Sequence, residues 1–264
     1  MVAPALGQDA LSDEKLPELL ALLKEVDSVE FKLTVPENER FSSAARLGMD
    51  PLDAQIRQIY FFDTPDLRLK DKGVVVRARR VQGEADDSVV KLRPVVPDRL
   101  PDELRESRDF KIEVDAMPDG FVCSASIKET FGSKDIPAVV ARNKGLQSLF
   151  SKGQRDFYTA YAPSGLALND LSILGPILVI KYRFTPEGFS RQLDGEMWLF
   201  PDGTRFLELS TRCPPPEIFF AAAETRAFLT QLGIDLGAEQ QTKTSKALEL
   251  FAALLREGDG ASER

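Results

Sequence analysis

The stretch Tyr60–Arg79, YFFDTPDLRLKDKGVVVRAR, decides the fold. It extends an upstream run, QIRQIYFF (Gln55–Phe62), rich in aromatic and β-branched residues, which reads as a strand. Asp63-Thr64-Pro65-Asp66 and Asp71-Lys72-Gly73 are turn signals. After them GVVVRARRV (Gly73–Val81) places Arg77 and Arg79 on one side and valines on the other. The unit is strand, turns, strand, and the second strand carries arginine at every other position.

The same alternation recurs outward along the chain. VEFKLTV (Val29–Val35), SVVKLRP (Ser88–Pro94), FKIEVD (Phe110–Asp115), ILVIKYRF (Ile177–Phe184), EMWLF (Glu196–Phe200) and RFLELS (Arg205–Ser210) each read as a strand. Pro201-Asp202-Gly203 joins the last two as a hairpin. Helical spacing of leucines marks residues 11–26, with Ser12 as N-cap, and Lys243–Arg256; Pro216–Gly233 is a third helix. Residues 116–175 read as an insertion or extra layer, with a helix over Ala138–Phe150 and short strands at Gln154–Tyr158 and Leu166–Leu174. The expected organisation is a tail and helix over 1–27, a single barrel domain over 28–256 and a disordered tail over 257–264.

Composition narrows the chemistry. The chain has 264 residues, 43% hydrophobic and 29% charged, as in a globular protein. The net charge of −8 argues against nucleic acid as partner. No histidine is present, which removes histidine triads, histidine bases and histidine-ligated zinc. Cys123 and Cys213 have no partners at metal-ligand spacing and read as reduced and buried. No apolar run reaches the roughly 18 residues of a membrane span, and no signal peptide is read at the N-terminus. A cytoplasmic location, away from membranes, is expected; monomer and homodimer both stay open.

The strand faces carry the information. The polar face holds Lys32, Arg77, Arg79, Lys91, Arg93, Lys111, Lys181 and Arg183 against Glu30, Glu113, Asp115 and Glu208. That is eight basic groups against four acidic, net positive by four in a chain of net −8. A solvated outer face would mix in Thr, Ser and Gln; this one segregates charge, as a site for a polyanion does. A closed barrel of about eight largely antiparallel strands, apolar outside under helices and charged inside, satisfies both faces, an α+β fold. Arg and Lys suit phosphate, and carboxylates beside phosphate call for a hard cation between them.

These segments resemble the CYTH, or triphosphate tunnel metalloenzyme, superfamily. Its opening ExExK motif stands as Ser28-Val29-Glu30-Phe31-Lys32, its aromatic strand, turn and RxR as Tyr60–Arg79, and its central-lysine strand as SVVKLRP. Lys111-Ile112-Glu113-Val114-Asp115, Lys181-Tyr182-Arg183, FLELS and a basic residue in TKTSK (Lys243 or Lys246) follow. The resemblance implies a metal-dependent hydrolase of a triphosphate or polyphosphate, triphosphatase-like, nucleotide-acting or adenylyl-cyclase-like. It implies phosphate binding by Lys32, Arg77, Arg79, Lys91, Arg93, Lys181, Arg183 and Lys243, catalytic roles for Glu30 and Lys32, and Mg²⁺ or Mn²⁺ on Glu30, Glu113 and Glu208. The implied partner is a small-molecule triphosphate or polyphosphate.

Two motif acids are replaced, by Ser28 and Ser210, with Asp115 and Glu196 available to compensate. Those losses keep a second reading in view, a module that binds polyphosphate, nucleotide or a phosphorylated metabolite without cleaving it. A third has the charges paired as internal salt bridges that hold the barrel. An alternative alignment puts the motif's late strands at 155–184 rather than at FLELS.

Overall fold

The computed structural model describes residues 16–118, 120–234 and 243–262. The expected N-cap Ser12, the tail at 1–10 and residues 263–264 lie outside the described residues. Nine strands are present: β1 (Ser28–Val35), β2 (Gln55–Asp63), β3 (Val74–Val81), β4 (Asp86–Leu92), β5 (Phe110–Met117), β6 (Gly120–Phe131), β7 (Ser172–Phe184), β8 (Leu193–Leu199) and β9 (Arg205–Cys213). They close into one barrel in the order β1-β5-β6-β4-β3-β2-β7-β8-β9, with β9 returning to β1. Every adjacent pair is antiparallel except β1 and β5. The helices are α1 (Leu16–Leu23), α2 (Arg40–Arg46), α3 (Arg68–Asp71), α4 (Asp102–Arg105), α5 (Asp135–Val140), α6 (Lys152–Tyr161), α7 (Ile218–Gln231) and α8 (Lys243–Ser262).

The α+β barrel expected from the alternation is therefore present, with nine strands in place of about eight. The extra strand is β6, inside the stretch expected as an insertion. Its sequence, GFVCSASIKETF, is rich in small polar residues and hid its pairing with both β4 and β5. Within the same stretch Ala138–Phe150 is not one helix: α5 ends at Val140 and a 3-10 turn spans Leu146–Leu149. Leu166–Leu174 is strand only from Ser172, the start of the long β7. The expected tail is helical as far as Ser262.

Gln154–Tyr158, expected as a strand, lies in α6. Ser151 and Gln154 form a capping box, the Ser151 hydroxyl accepting from the Gln154 amide at 3.3 Å and Gln154 Oε1 accepting from the Ser151 amide at 3.0 Å. The fully buried Gln154 also accepts from Ser88 Oγ and donates Nε2 to the carbonyls of Ser88 and Ile127, pinning the helix across β4 and β6. This helix also rules out the alternative alignment, because residues 155–158 cannot be a barrel strand. FLELS, in β9, is the strand that closes the barrel on β1.

Each face of the wall has its own core. Outward residues such as Phe31, Leu33, Phe62, Val76, Ile112, Val114, Leu193 and Leu207 pack with α5, α6 and α7 through Ile136, Val139, Phe157, Tyr158, Ile218 and Leu229. Inward residues at one end, Ile59, Phe61, Ile177, Val179, Trp198 and Phe206, pack with Ala247, Leu248, Phe251 and Ala252 of α8. The barrel interior therefore has an apolar layer under α8 and a charged layer beyond it.

The turn between β2 and β3 is held by one carboxylate. Asp63, 1% exposed, accepts from the backbone amides of Thr64 (2.7 Å), Leu69 (2.9 Å) and Lys70 (3.0 Å). It ties the end of β2 to the start of α3 and so sets where β3 begins. Gly73 then takes φ +72°, and a Cβ there would lie 2.5 Å from the Arg93 carbonyl oxygen, which only glycine permits. Asp63→Ala leaves three buried or half-buried amides without their acceptor. It is expected to cost about 2–3 kcal/mol in denaturant unfolding, with the Leu69 and Lys70 amides losing hydrogen-exchange protection; unchanged stability would refute the assignment.

Candidate functional site

Strand alternation aims one side chain in two at the barrel axis. The side chains so aimed line a cavity of about 930 Å³, bordered as well by Lys243, Thr244, Ser245 and Leu248 of α8. Every sequence-expected site residue lines it: Glu30, Lys32, Arg77, Arg79, Lys91, Arg93, Lys111, Glu113, Asp115, Lys181, Arg183, Glu208 and Lys243, with Ser210 beside them. Arg57, Asp87, Lys128, Asp194 and Arg212 also line it and were not expected. Arg57 shares the parity of Ile59 and Phe61 in β2, and that parity was the available signal. It was masked because the inward face of β2 is apolar beyond Arg57.

Counting every charged lining residue gives thirteen basic and nine acidic, so the lumen is net positive by four, the sign that the strand faces predicted. The charges are not evenly spread. Arg57, Arg77, Arg79, Lys91 and Arg93 come from β2, β3, β4 and the segment just after β4, neighbours in the barrel. Asp194, Glu196, Glu208, Glu30, Glu113 and Asp115 come from the run β8-β9-β1-β5. One wall is basic, and the wall opposite it is acidic with cations set between its carboxylates.

Those cations are closely bound. Lys32 Nζ lies 2.7 Å from Asp115 and 3.3 Å from Glu30, and Arg93 reaches the second Asp115 oxygen at 3.1 Å as an ion pair without hydrogen-bond geometry. Arg212 spans Glu113 (2.7 Å) and Glu30 (3.4 Å). Lys243 spans Glu196 (2.5 Å) and Glu208 (2.6 Å), and Lys181 pairs with Asp194 (2.6 Å). Across the barrel Arg79 forks onto Asp87. Ser210 Oγ donates to Glu30 at 2.8 Å and Ser28 Oγ to Glu113 at 3.3 Å, so both motif serines spend their hydroxyls on carboxylates. Burial acts to raise the carboxyl of Asp115 and lower the ammonium of Lys32. Their mutual attraction outweighs it, holding Asp115 far below the carboxylate range and Lys32 above the lysine range. Lys32 is thus fixed as a cation, a charge and not a base.

Four lining cations have no ion pair among the described residues: Arg57, Arg77, Lys91 and the exposed Lys111. For the first three, burial is the main cause lowering each, and like-charged neighbours add to it. Arg77, crowded by Arg79 and Arg57, is pushed down to about 10, and its buried Nε has no hydrogen-bond partner. Lys91 is lowered by burial and by Lys32 and Arg93, against the pull of Asp115. Arg77, at about 10, keeps its charge at neutral pH.

The carboxylates expected to hold Mg²⁺ or Mn²⁺ were Glu30, Glu113 and Glu208. Among the described residues no three acidic or thiol groups are disposed to hold an ion. Glu30 and Glu113 share Arg212, and Glu208 faces Lys243. As arranged, these oxygens are committed to fixed cations and do not fit a divalent ion.

No protein-family model matches the sequence. No curated protein matches it either. Solved structures do match. A Bacillus halodurans protein provisionally assigned as an adenylate cyclase aligns over 83% of this chain and 96% of its own, with TM-score 0.58 and 14% identity. A Hippeastrum protein, provisionally an adenylyl cyclase and described as having a dominant triphosphatase activity, aligns over 82% of this chain and 92% of its own, with TM-score 0.59 and 17% identity. The likeness shows that this chain shares the closed-barrel fold of those two proteins. No helix among the described residues is long and apolar enough to cross a membrane.

An unpaired buried guanidinium costs stability in the absence of a ligand. Arg77→Met is therefore expected to raise the stability of the ligand-free protein by about 1 kcal/mol, read as a higher thermal midpoint. A lower midpoint would mean that the guanidinium holds the barrel together.

Proposed function

We propose that the protein binds a small molecule bearing a triphosphate or longer polyphosphate inside the barrel. The observation that carries this reading is the set Arg57, Arg77 and Lys91: three buried inward cations on neighbouring strands, depressed by burial and by neighbouring cations, with no carboxylate in contact. A barrel held only by internal salt bridges would have no use for them. A chain of phosphates supplies several closely spaced negative charges and acceptor oxygens, which Arg takes as a fork and Lys as a point charge. Arg79, Arg93, Lys181 and Arg183, though paired, stand beside this cluster and add to its field.

Hydrolysis of a terminal phosphoanhydride is the second reading, supported by the fold shared with the Hippeastrum protein and its triphosphatase activity. Electrostatic stabilisation of the transferring phosphoryl group by the basic wall is the contribution these residues would make. Metal assistance from Mg²⁺ or Mn²⁺ on Glu30, Glu113 and Glu208 would require Arg212 and Lys243 to leave their carboxylates. Cyclisation of a nucleoside triphosphate belongs to the same class.

Calorimetric titration with tripolyphosphate at neutral pH tests the first reading. Binding is expected, weakened at least about tenfold in Lys91→Met and Arg77→Met, roughly the loss of one charge-assisted contact of 1.5–3 kcal/mol. Affinity is also expected to fall as pH rises into the alkaline range. The Lys91 pKa is lowered in the free protein and raised by a bound anion, so binding takes up a proton once the pH exceeds the free value. Absence of binding, or equal affinity in Lys91→Met, would overturn the reading. Release of phosphate from tripolyphosphate or ATP above the Lys91→Met control, with and without Mg²⁺ or Mn²⁺, decides the second.

A further inference from the structure

The acidic wall poses an electrostatic problem that the fold solves in an unusual way. Glu196 of β8 and Glu208 of β9 are directly opposed in the antiparallel register, both pointing inward. Like charges so placed repel, and burial makes the repulsion worse. Lys243, the first residue of α8, reaches in from the end of the barrel and places its ammonium 2.5 Å from one and 2.6 Å from the other. Burial would raise the Glu196 carboxyl, yet Lys243 and Lys181 hold it well below its usual range. The second pair is built alike. Glu30 of β1 is opposed to Arg212 of β9, Glu113 stands on β5 on the other side of β1, and the Arg212 guanidinium spans both. Ser210 and Ser28 donate to the same two glutamates. In each case one side-chain cation bridges two carboxylates from different strands, which is the work a hard divalent ion does in an oxygen site.

We propose that Lys243 and Arg212 are built-in counter-ions standing where a divalent cation would bridge these carboxylate pairs, so that the barrel takes its polyphosphate ligand without a divalent ion. The first clause stands on the ion-pair geometry alone, and the second rests on the polyphosphate reading above. A lysine or arginine brings one charge where Mg²⁺ brings two, so each bridged pair keeps one net negative charge. The bridging cation cannot share its coordination with phosphate oxygens as a metal does, and the residual negative charge directs the ligand towards the unpaired cations of the opposite wall.

The test uses the full chain and Mn²⁺ alone, followed by electron paramagnetic resonance, so that it does not depend on any phosphate ligand. Wild type is expected to show no stoichiometric Mn²⁺ site up to about 1 mM, the weak end of ordinary protein cation sites. Lys243→Met and Arg212→Met each remove the cation that bridges a carboxylate pair and are expected to gain a site binding at least about tenfold tighter. Folded variants that bind Mn²⁺ no better than wild type overturn the proposal, as does a tight Mn²⁺ site in wild type. Should either variant fail to fold, wild type still decides. Its tripolyphosphate affinity is expected to be the same with excess chelator as with Mg²⁺, and a drop of more than tenfold in chelator refutes the second clause. Failure of tripolyphosphate to bind under any condition would sink the polyphosphate reading while leaving the Mn²⁺ result to judge the counter-ions.

Discussion

Closing a sheet into a barrel forces a charge balance that an open sheet escapes. Every second residue of every strand is turned inward, and whatever charge it carries must be matched by another inward group or by a guest. Here the balance is struck locally on one side and left open on the other. All six carboxylates of the run β8-β9-β1-β5 have a cation in contact, through Lys32, Arg93, Lys181, Arg212 and Lys243. Arg57, Arg77 and Lys91 on β2, β3 and β4 have none among the described residues. The net positive charge of the lumen is therefore concentrated in one patch, on the strands that follow from the turn held by Asp63.

That turn explains why the patch is where it is. Asp63 gathers three backbone amides and fixes the path from β2 into α3. Gly73 then lets the start of β3 approach the backbone of Arg93, and the Arg93 amide donates to the Gly73 carbonyl at 2.8 Å. The register that follows sets Arg77 opposite Val89 and Lys91 opposite Val75. The cations of β3 and β4 are thereby staggered along the axis rather than stacked. The same turn thus positions three of the basic groups through backbone geometry, without touching their side chains.

Much of this was legible from alternation alone. A period of two with arginine or lysine on one side and valine or isoleucine on the other identifies a strand and which of its faces turns inward. The four positive charges in excess survive the addition of every further lining residue, because Arg57, Lys70, Lys128, Arg212 and Lys243 arrive with Glu84, Asp87, Asp109, Asp194 and Glu196. What alternation could not give was pairing. Glu196 and Glu208 are twelve residues apart in different strands, and Lys243 is thirty-five beyond Glu208; only the closed register brings them together. β6 was missed because its inward residues include Ser124 and Ser126, which carry no periodic signal, and α6 because Phe157, Tyr158 and Tyr161 have strand propensity that a capping box overrides.

Ser28 and Ser210 show how a short substitution changes a site's chemistry without changing its shape. In place of a carboxylate each supplies a hydroxyl that donates to a neighbouring glutamate, so a position that would add negative charge instead stabilises negative charge already present. Arg212 and Lys243 finish the same task with full positive charges. The consequence runs across the barrel. Once the carboxylates of the acidic wall are paired from within, they no longer compete for the cations opposite. Arg57, Arg77 and Lys91 then stay unpaired, at a cost in stability that a bound polyanion would repay. A wall of free carboxylates would draw those cations across the lumen and close it; satisfied carboxylates keep it open.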